Sequence, residues 1–217
     1  MGQNMARNAF PVVLSAPSGT GKTTLAHLLI DSMSNLEISV SHTTRPMRGH
    51  ELDKVDYHFV QDAEFDAMIQ RRAFMEWASV YGYRYGSSAE WTQAKLDAKV
   101  DVIFDIDVQG GLQIKQCFPN SILIFILPPS MDELEKRLRG RGTESNEKIQ
   151  KRLEAARQEI RIGLTSYDYV INNEKLDRAL FDLTSIVRTH RLQGFDRDRI
   201  RLKLLGEPSN PSLDSCF

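Results

Sequence analysis

Along the chain, short unbroken apolar runs alternate with longer stretches in which apolar residues recur every three or four positions. Phe10-Pro11-Val12-Val13-Leu14 reads as a buried strand that enters a loop of small residues, and the spacing then predicts a helix from Lys22 to about Met33. Glu37–Ser41 is a second, short strand candidate. Val102-Ile103-Phe104 and Ile122–Leu127 are apolar throughout, the pattern of strands covered on both faces of a parallel sheet. Pro128-Pro129-Ser130 ends the latter, and a helix to about Arg139 is predicted to follow. Helices are also predicted at Asp62–Arg72, with Asp62 as N-cap, and at Ser87–Lys99, with Ser87 or Ser88 near its cap. Long helices at Lys148–Ile162 and Leu176–Leu192 flank a short strand at Tyr169–Ile171. Strands alternating with helices argue for an α/β fold, a parallel sheet with helices on both faces.

The stretch 42–86 breaks this rhythm. Its short extended pieces (Tyr57–Val60 and Phe74–Ser79), its aromatic residues and a turn at Tyr81-Gly82-Tyr83-Arg84-Tyr85-Gly86 predict a mainly β insertion over the sheet's ligand edge. The expected organisation is one domain over 8–205. Residues 206–217, with two prolines, a glycine and several small polar residues, are expected to be a disordered tail.

Composition narrows the partners. A chain of 217 residues can hold one α/β domain with a real core and a small subdomain. Its net charge of −1 gives no bulk field toward nucleic acid or a membrane surface, so any basic site must be local. Cys117 and Cys216 lack metal-ligand spacing and make no disulfide framework, which fits a reducing cytoplasmic compartment. No apolar run is long enough to span a bilayer, and no secretory signal is expected.

The strongest chemical signal is Leu14-Ser15-Ala16-Pro17-Ser18-Gly19-Thr20-Gly21-Lys22-Thr23-Thr24. A strand ends, two glycines let the backbone curl, and a helix begins, so that successive N–H groups face a triphosphate. Lys22 is placed to reach the β and γ oxygens and the Thr23 hydroxyl to ligate Mg²⁺, although Ala16 stands where the general phosphate-loop pattern has glycine.

A second anion site is predicted on Ser41-His42-Thr43-Thr44-Arg45-Pro46-Met47-Arg48-Gly49-His50-Glu51, which is too rich in proline and glycine for a helix. Arg45 and Arg48 can hold a phosphate through forked, charge-assisted bonds, and Tyr57 and Tyr85 can add hydroxyls. In-line transfer requires such an acceptor site to face the donor. Guanine offers N1–H and N2–H₂ donors beside an O6 acceptor, which a carboxylate and a hydroxyl would read. Glu76, set between Met75 and Trp77, is one candidate carboxylate. Asp105 and Asp107 follow a buried strand at its carboxyl end, where open α/β sheets bind ligands, and their spacing predicts that both share a face.

Taken together, Ser15 to Thr23, Val40-Ser41-His42-Thr43-Thr44-Arg45, Tyr85-Gly86-Ser87, Asp105-Ile106-Asp107-Val108-Gln109-Gly110 and Arg137-Leu138-Arg139-Gly140-Arg141-Gly142-Thr143 resemble the guanylate kinase family from about Pro11 to Leu192. The resemblance implies a phosphate-loop NTPase-type core (8–41, 87–127 and 165–205), a GMP-binding β subdomain (42–86) and a helical lid (130–164). It implies transfer of the γ-phosphoryl of ATP to GMP or dGMP with Mg²⁺, in purine nucleotide metabolism. By matching positions, Ser41, Arg45, Arg48, Glu51, Tyr57, Glu76, Tyr85, Ser87 and Asp107 resemble GMP contacts. Ala16, Pro17, Ser18, Gly19, Thr20, Gly21, Lys22, Thr23 and Thr24 resemble the ATP-phosphate cradle, and Asn173 a contact to the ATP base. Arg137, Arg141 and Arg152 resemble lid arginines, which with Lys22 and Arg45 would balance charge during transfer, while Asp105 would hold magnesium waters. One departure stands out: the family usually has Thr-Thr-Arg-x-Pro-Arg-x-Gly-Glu, whereas here Pro46 and Gly49 each lie one place earlier. Two other readings are a scaffold-type binding module and a kinase for another phosphorylated acceptor. The intact Gly21-Lys22-Thr23 argues against the first, and the set Ser41, Glu76 and Asp107 against the second. The oligomeric state stays open, a homo-oligomer included.

Overall fold

The computed structural model describes residues 7–49, 51–140, 145–193 and 197–206. Arg141 and all of the expected tail beyond Gly206 lie outside these residues. The first sheet is built from β1 (Pro11–Ser15), β2 (Leu36–Ile38), β7 (Asp101–Asp105), β8 (Ile122–Leu127) and β9 (Tyr169–Asn172). Its order is β2-β7-β1-β8-β9, with every pairing parallel. The apolar runs behave as a doubly covered sheet requires, with successive side chains going to opposite faces. Val12 and Leu14 pack with Leu25 and Leu29 of α1 (Lys22–Ser32) and with Leu183 and Val187 of α7 (Leu176–Gln193). Val13, Val102, Phe104 and Leu123 pack on the other side, against Leu96 of α3 (Ala89–Asp97) and Ile114 of α4 (Val108–Cys117).

The insertion forms a second, mixed sheet from β3 (His42–Thr43), β4 (His58–Phe59), β5 (Phe74–Val80) and β6 (Tyr83–Ser88), in the order β4-β3-β6-β5. α2 (Asp62–Gln70) buries Phe65 and Met68. Arg84 on β6 forms ion pairs with Asp62 and Asp66, tying the helix to the sheet. Beyond β8, α5 (Met131–Gly140) and the first half of α6 (Asn146–Ser166) share a separate small core of Leu134, Leu138, Ile149, Leu153 and Ala156. α8 (Arg197–Leu205) follows α7. Among the described residues no helix is long and apolar enough to cross a membrane.

Several local expectations are corrected. Gln61, not Asp62, caps α2. Ser87 lies in β6, and Ser88 alone caps α3 by accepting from the Trp91 N–H. The predicted turn at 81–86 shrinks to Tyr81-Gly82, because Tyr83 to Ser88 pair with β5. Helix α4 is absent from the sequence-based assignment, since Gly110-Gly111 lowers helical propensity. Its glycines answer to packing instead: a Cβ on Gly110 would lie 2.5 Å from Glu76 Oε2, and one on Gly111 2.2 Å from the Tyr167 hydroxyl. Asp107 caps α4 rather than extending β7, so Asp105 and Asp107 do not share a strand face.

The second sheet also carries a stacked histidine pair. His42 and His58 are register partners whose rings stack with centroids 4.5 Å apart, and Phe74 meets His42 edge-on at 5.7 Å. The His42 Nδ1 is buried without a hydrogen-bond partner. Burial, then repulsion from His58 and Arg71, lowers the His42 pKa to about 4, against an opposing hydrogen bond with the Gly86 backbone. Because the folded-state value lies below the unfolded 6.5, this contribution to stability is complete above pH 6.5 and is lost as pH falls toward 4. The loss is expected to be at most about 3 kcal/mol. Denaturant unfolding at pH 7 and pH 4.5 checks this: His42→Phe should shrink the difference between the two pH values, and an unchanged difference would assign it elsewhere.

Candidate functional site

The carboxyl ends of β1 and β7 lie side by side, with Leu14 in register with Asp105, so the loop after β1 faces the residues after β7. That loop turns through Gly19 and Gly21 at φ of 96° and 97°, where side chains are disfavoured. A Cβ on Gly21 would also come 2.9 Å from Asn173 Nδ2. Helix α1 starts without a side-chain cap and without an acidic residue in its first turn. Its N-terminal N–H groups and the positive end of its dipole therefore face the cleft uncompensated. Lys22 Nζ lies 2.5 Å from Asp105 Oδ1 and donates to the Ile106 carbonyl at 2.8 Å. The Thr23 hydroxyl donates to Asp105 Oδ2 at 2.7 Å.

The loop is braced from three sides. Asn173 donates its amide to the Thr20 carbonyl at 2.8 Å, and Arg137 reaches the same oxygen at 3.4 Å while its Nε pairs with Glu133. Arg152 of α6 donates to Ser18 Oγ at 3.3 Å. Tyr167 donates to Ser15 Oγ at 2.7 Å, and Ser15 passes a hydrogen bond on to the Asp107 carbonyl.

A cleft of about 460 Å³ runs from this loop to the second sheet. On the far side Arg45, only 7% exposed, makes a forked pair with Glu51 at 2.7 and 3.0 Å. Its guanidinium lies 5.3 Å from the Tyr57 ring centroid and 5.7 Å from that of Phe59. Hydrogen bonding from Arg45 holds Glu51 below the ordinary carboxylate range, and Glu51 also accepts from the Arg48 N–H at 2.8 Å. The shifted Pro46 and Gly49 thus leave a loop folded around one carboxylate. Burial pushes the Tyr57 phenol up to about 12, so it stays protonated and able to donate.

Glu76 is 3% exposed and accepts from Ser87 Oγ at 2.6 Å, while Ser41 Oγ lies 3.4 Å from Ser87 Oγ. Burial raises the Glu76 pKa to about 7; the Ser87 hydrogen bond opposes this and the Asp107 charge adds to it. Asp107 caps α4 through the Gly110 N–H at 3.0 Å. These groups form a pocket with two carboxylates and two hydroxyls, well suited to a planar ligand with neighbouring N–H donors.

Of the residues anticipated from sequence, the run Ala16 to Thr24 lines the cleft together with Asp105 and Arg152. Ser41, Arg45, Arg48, Glu51, Tyr57, Glu76, Tyr85 and Asp107 line it too. Ser87 stands behind Glu76, and Arg137 and Asn173 stand behind the phosphate loop. Sequence reasoning missed three polar lining residues, Asp56, Tyr81 and Glu159, along with the apolar Ala78, Val80 and Ile106. Glu159 follows Arg152 by seven residues on α6, two helical turns, and that spacing could have found it. Burial raises its pKa to about 7, an effect that Lys22 opposes and Asp107 reinforces. Asp56 and Tyr81 carry no comparable signal in the sequence.

The guanylate kinase family model matches residues 8–190. The guanylate kinase of Myxococcus xanthus is 50% identical over 195 residues, covering 90% of this chain and 92% of its own. That of Neisseria meningitidis serogroup A is 50% identical over 181 residues, covering 83% and 88%. The crystal structure of guanylate kinase from Anaplasma phagocytophilum superposes with a TM-score of 0.77 at 28% identity, over 94% of this chain and 98% of that one. With the family model matching most of its length, and with a phosphate loop facing a buried carboxylate pocket across one cleft, this chain belongs to the guanylate kinase family.

Proposed function

We propose that this guanylate kinase transfers the γ-phosphoryl of ATP to the 5′-phosphate of GMP or dGMP within the cleft between the phosphate loop and the second sheet. The observation that carries the reading is the pairing of the buried Glu76 with Ser87 in the same cleft that Lys22 lines. The loop Ala16 to Thr24 holds the donor phosphates, with Lys22 exchanging Asp105 for a phosphate oxygen. Asn173 keeps the Thr20 carbonyl in place and is assigned the contact to the donor base. Arg45, Arg48, Tyr57 and Tyr85 hold the acceptor phosphate, Glu51 orients the two arginines, and Glu76, Asp107, Ser41 and Ser87 read guanine. Arg152, with Arg137 and Arg141, brings charge from the segment 130–164, which acts as the lid over 42–86 and the core. Phosphoryl transfer depends on positioning and charge neutralisation more than on covalent chemistry, so no general base is required.

The residues present fit a magnesium ion. The Thr23 hydroxyl and the Asp105 carboxylate are adjacent hard oxygen donors at the phosphate loop. Among the described residues no group of three or more His, Cys, Asp or Glu could hold a metal by itself. Few protein ligands, completed by water and substrate phosphates, is how magnesium is usually held. Thr23 and Asp105 would hold Mg²⁺, whose charge would neutralise the donor phosphates.

Arg45→Ala tests the acceptor half. It removes a charge-assisted clamp worth about 1.5–3 kcal/mol, so the KM for GMP should rise roughly 10- to 100-fold. The KM for ATP should stay within about threefold. Steady-state kinetics with each substrate varied in turn separates the two, and a shift confined to ATP would show that the acceptor site is misplaced.

A further inference from the structure

We propose that Tyr81, at the tip of the β5–β6 hairpin, is a positioning residue that holds the Arg152 guanidinium over the phosphate loop and so couples the acceptor subdomain to the lid helix. Val80 pairs with Tyr83, which leaves Tyr81 and Gly82 as a two-residue loop. Both have positive φ, 51° and 83°, as a type I′ turn demands. Asparagine or glycine suits the first of these positions far better than a bulky aromatic residue. A tyrosine kept in that conformation points to a use for its ring, and the surroundings supply one.

The ring is 50% exposed, lines the cleft, and has the Arg152 Cζ 5.4 Å from its centroid. Arg152 donates at 3.3 Å to Ser18 in the phosphate loop. Three segments far apart in the chain therefore meet at one guanidinium. The geometry suits transfer chemistry, because an aromatic ring beside a guanidinium favours its charge without competing for its N–H donors, which are the groups that bond phosphate oxygens. The helix itself is anchored by Ile149, Leu153 and Ala156 against α5, so the ring steers the side chain rather than the helix. Filling the acceptor site would draw the hairpin and the arginine in together, at the moment when charge must be balanced.

This inference rests on the reading of Arg152 as a phosphate-facing arginine, and the experiment separates the two. Kinetics and thermal unfolding are measured for Tyr81→Asn, Tyr81→Phe, Arg152→Ala and the double variant Tyr81→Asn with Arg152→Ala. Asparagine tolerates the turn, so the Tm of Tyr81→Asn should not fall. Its kcat should fall about 3- to 30-fold, the range of a partly desolvated cation–π contact, with KM for GMP within about twofold. Tyr81→Phe keeps the ring and should stay within about twofold of wild type. In the double variant, kcat should be no lower than in Arg152→Ala alone. A wild-type rate in Arg152→Ala would overturn the reading of Arg152 and the coupling with it. A slow Arg152→Ala beside a wild-type Tyr81→Asn, or losses that multiply in the double variant, would overturn the coupling alone. A raised KM for GMP with a lowered Tm would assign Tyr81 to hairpin folding, since Glu76, Tyr85 and Ser87 sit on the same two strands, and would also overturn it.

Discussion

Lys22→Ala is expected to lower kcat by about 10²–10³-fold or more while GMP binding remains measurable. The ammonium sits at the start of α1, beside N–H groups that no side chain caps. It is held by Asp105 and the Ile106 carbonyl, two acceptors that keep it inside the phosphate loop. A preorganised donor aimed at developing charge in a water-poor site is worth about 10²–10³ in kcat, and phosphoryl transfer concentrates its demand on such donors. Removal would also leave Asp105 bonded only to Thr23 on that side, which should weaken the donor site further. The acceptor pocket lies across the cleft on β5, β6 and the loop after β3, so GMP titration by calorimetry should show affinity within about threefold of wild type. ADP release measured in parallel decides the matter: near-normal turnover would remove the phosphate-loop assignment.

The other large effect concerns the base. GMP should be preferred over AMP in kcat/KM by about 10⁴–10⁵-fold, because a site built to bond two donors leaves its own carboxylates unpaired against adenine. Assaying ADP formation with GMP, AMP, CMP and UMP in turn measures this directly, and equal use of AMP and GMP would overturn the guanine reading. Glu76→Gln should lose much of the preference, since the amide cannot accept equally from both guanine donors. The buried carboxyl adds a pH signature. With its pKa raised to about 7, Glu76 is partly protonated at neutral pH, whereas guanine donors favour the charged form. GMP binding should therefore expel a proton, and KM for GMP should rise as pH falls below 7. Glu76→Gln should abolish that dependence. Unchanged discrimination in the variant would move the base-reading role to Asp107 and Ser41.

The apolar runs at Phe10–Leu14, Val102–Phe104 and Ile122–Leu127 were legible because a strand covered on both faces has no polar side to show. The phosphate loop was legible for a different reason: its glycines at positive φ and the Lys22-Thr23 that follows are contiguous in the chain, even though distant residues brace the folded loop. Helix α4 and strand β6 were not legible. Gly110 and Gly111 are there because the Glu76 carboxylate and the Tyr167 hydroxyl come too close for any Cβ, and the partners lie 34 and 56 positions away. Likewise Tyr83 to Gly86 look like turn residues until β5 and β3 supply their ladder bonds.

The same division runs through the site. Residue type and order alone singled out the groups to which the proposed transfer gives the chemistry: Lys22, the arginines, and the carboxylates Glu76, Asp105 and Asp107. Only the tertiary structure decided how they are spent. It turned Asp107 into a helix cap, paired Arg45 with Glu51, set Asn173 behind the loop, and brought Glu159 and Tyr81 to the cleft. Side-chain chemistry is a property of each residue. The pKa of Glu76 and the aim of Arg152 depend on burial and on contacts made by elements far apart in the chain, which no local pattern encodes.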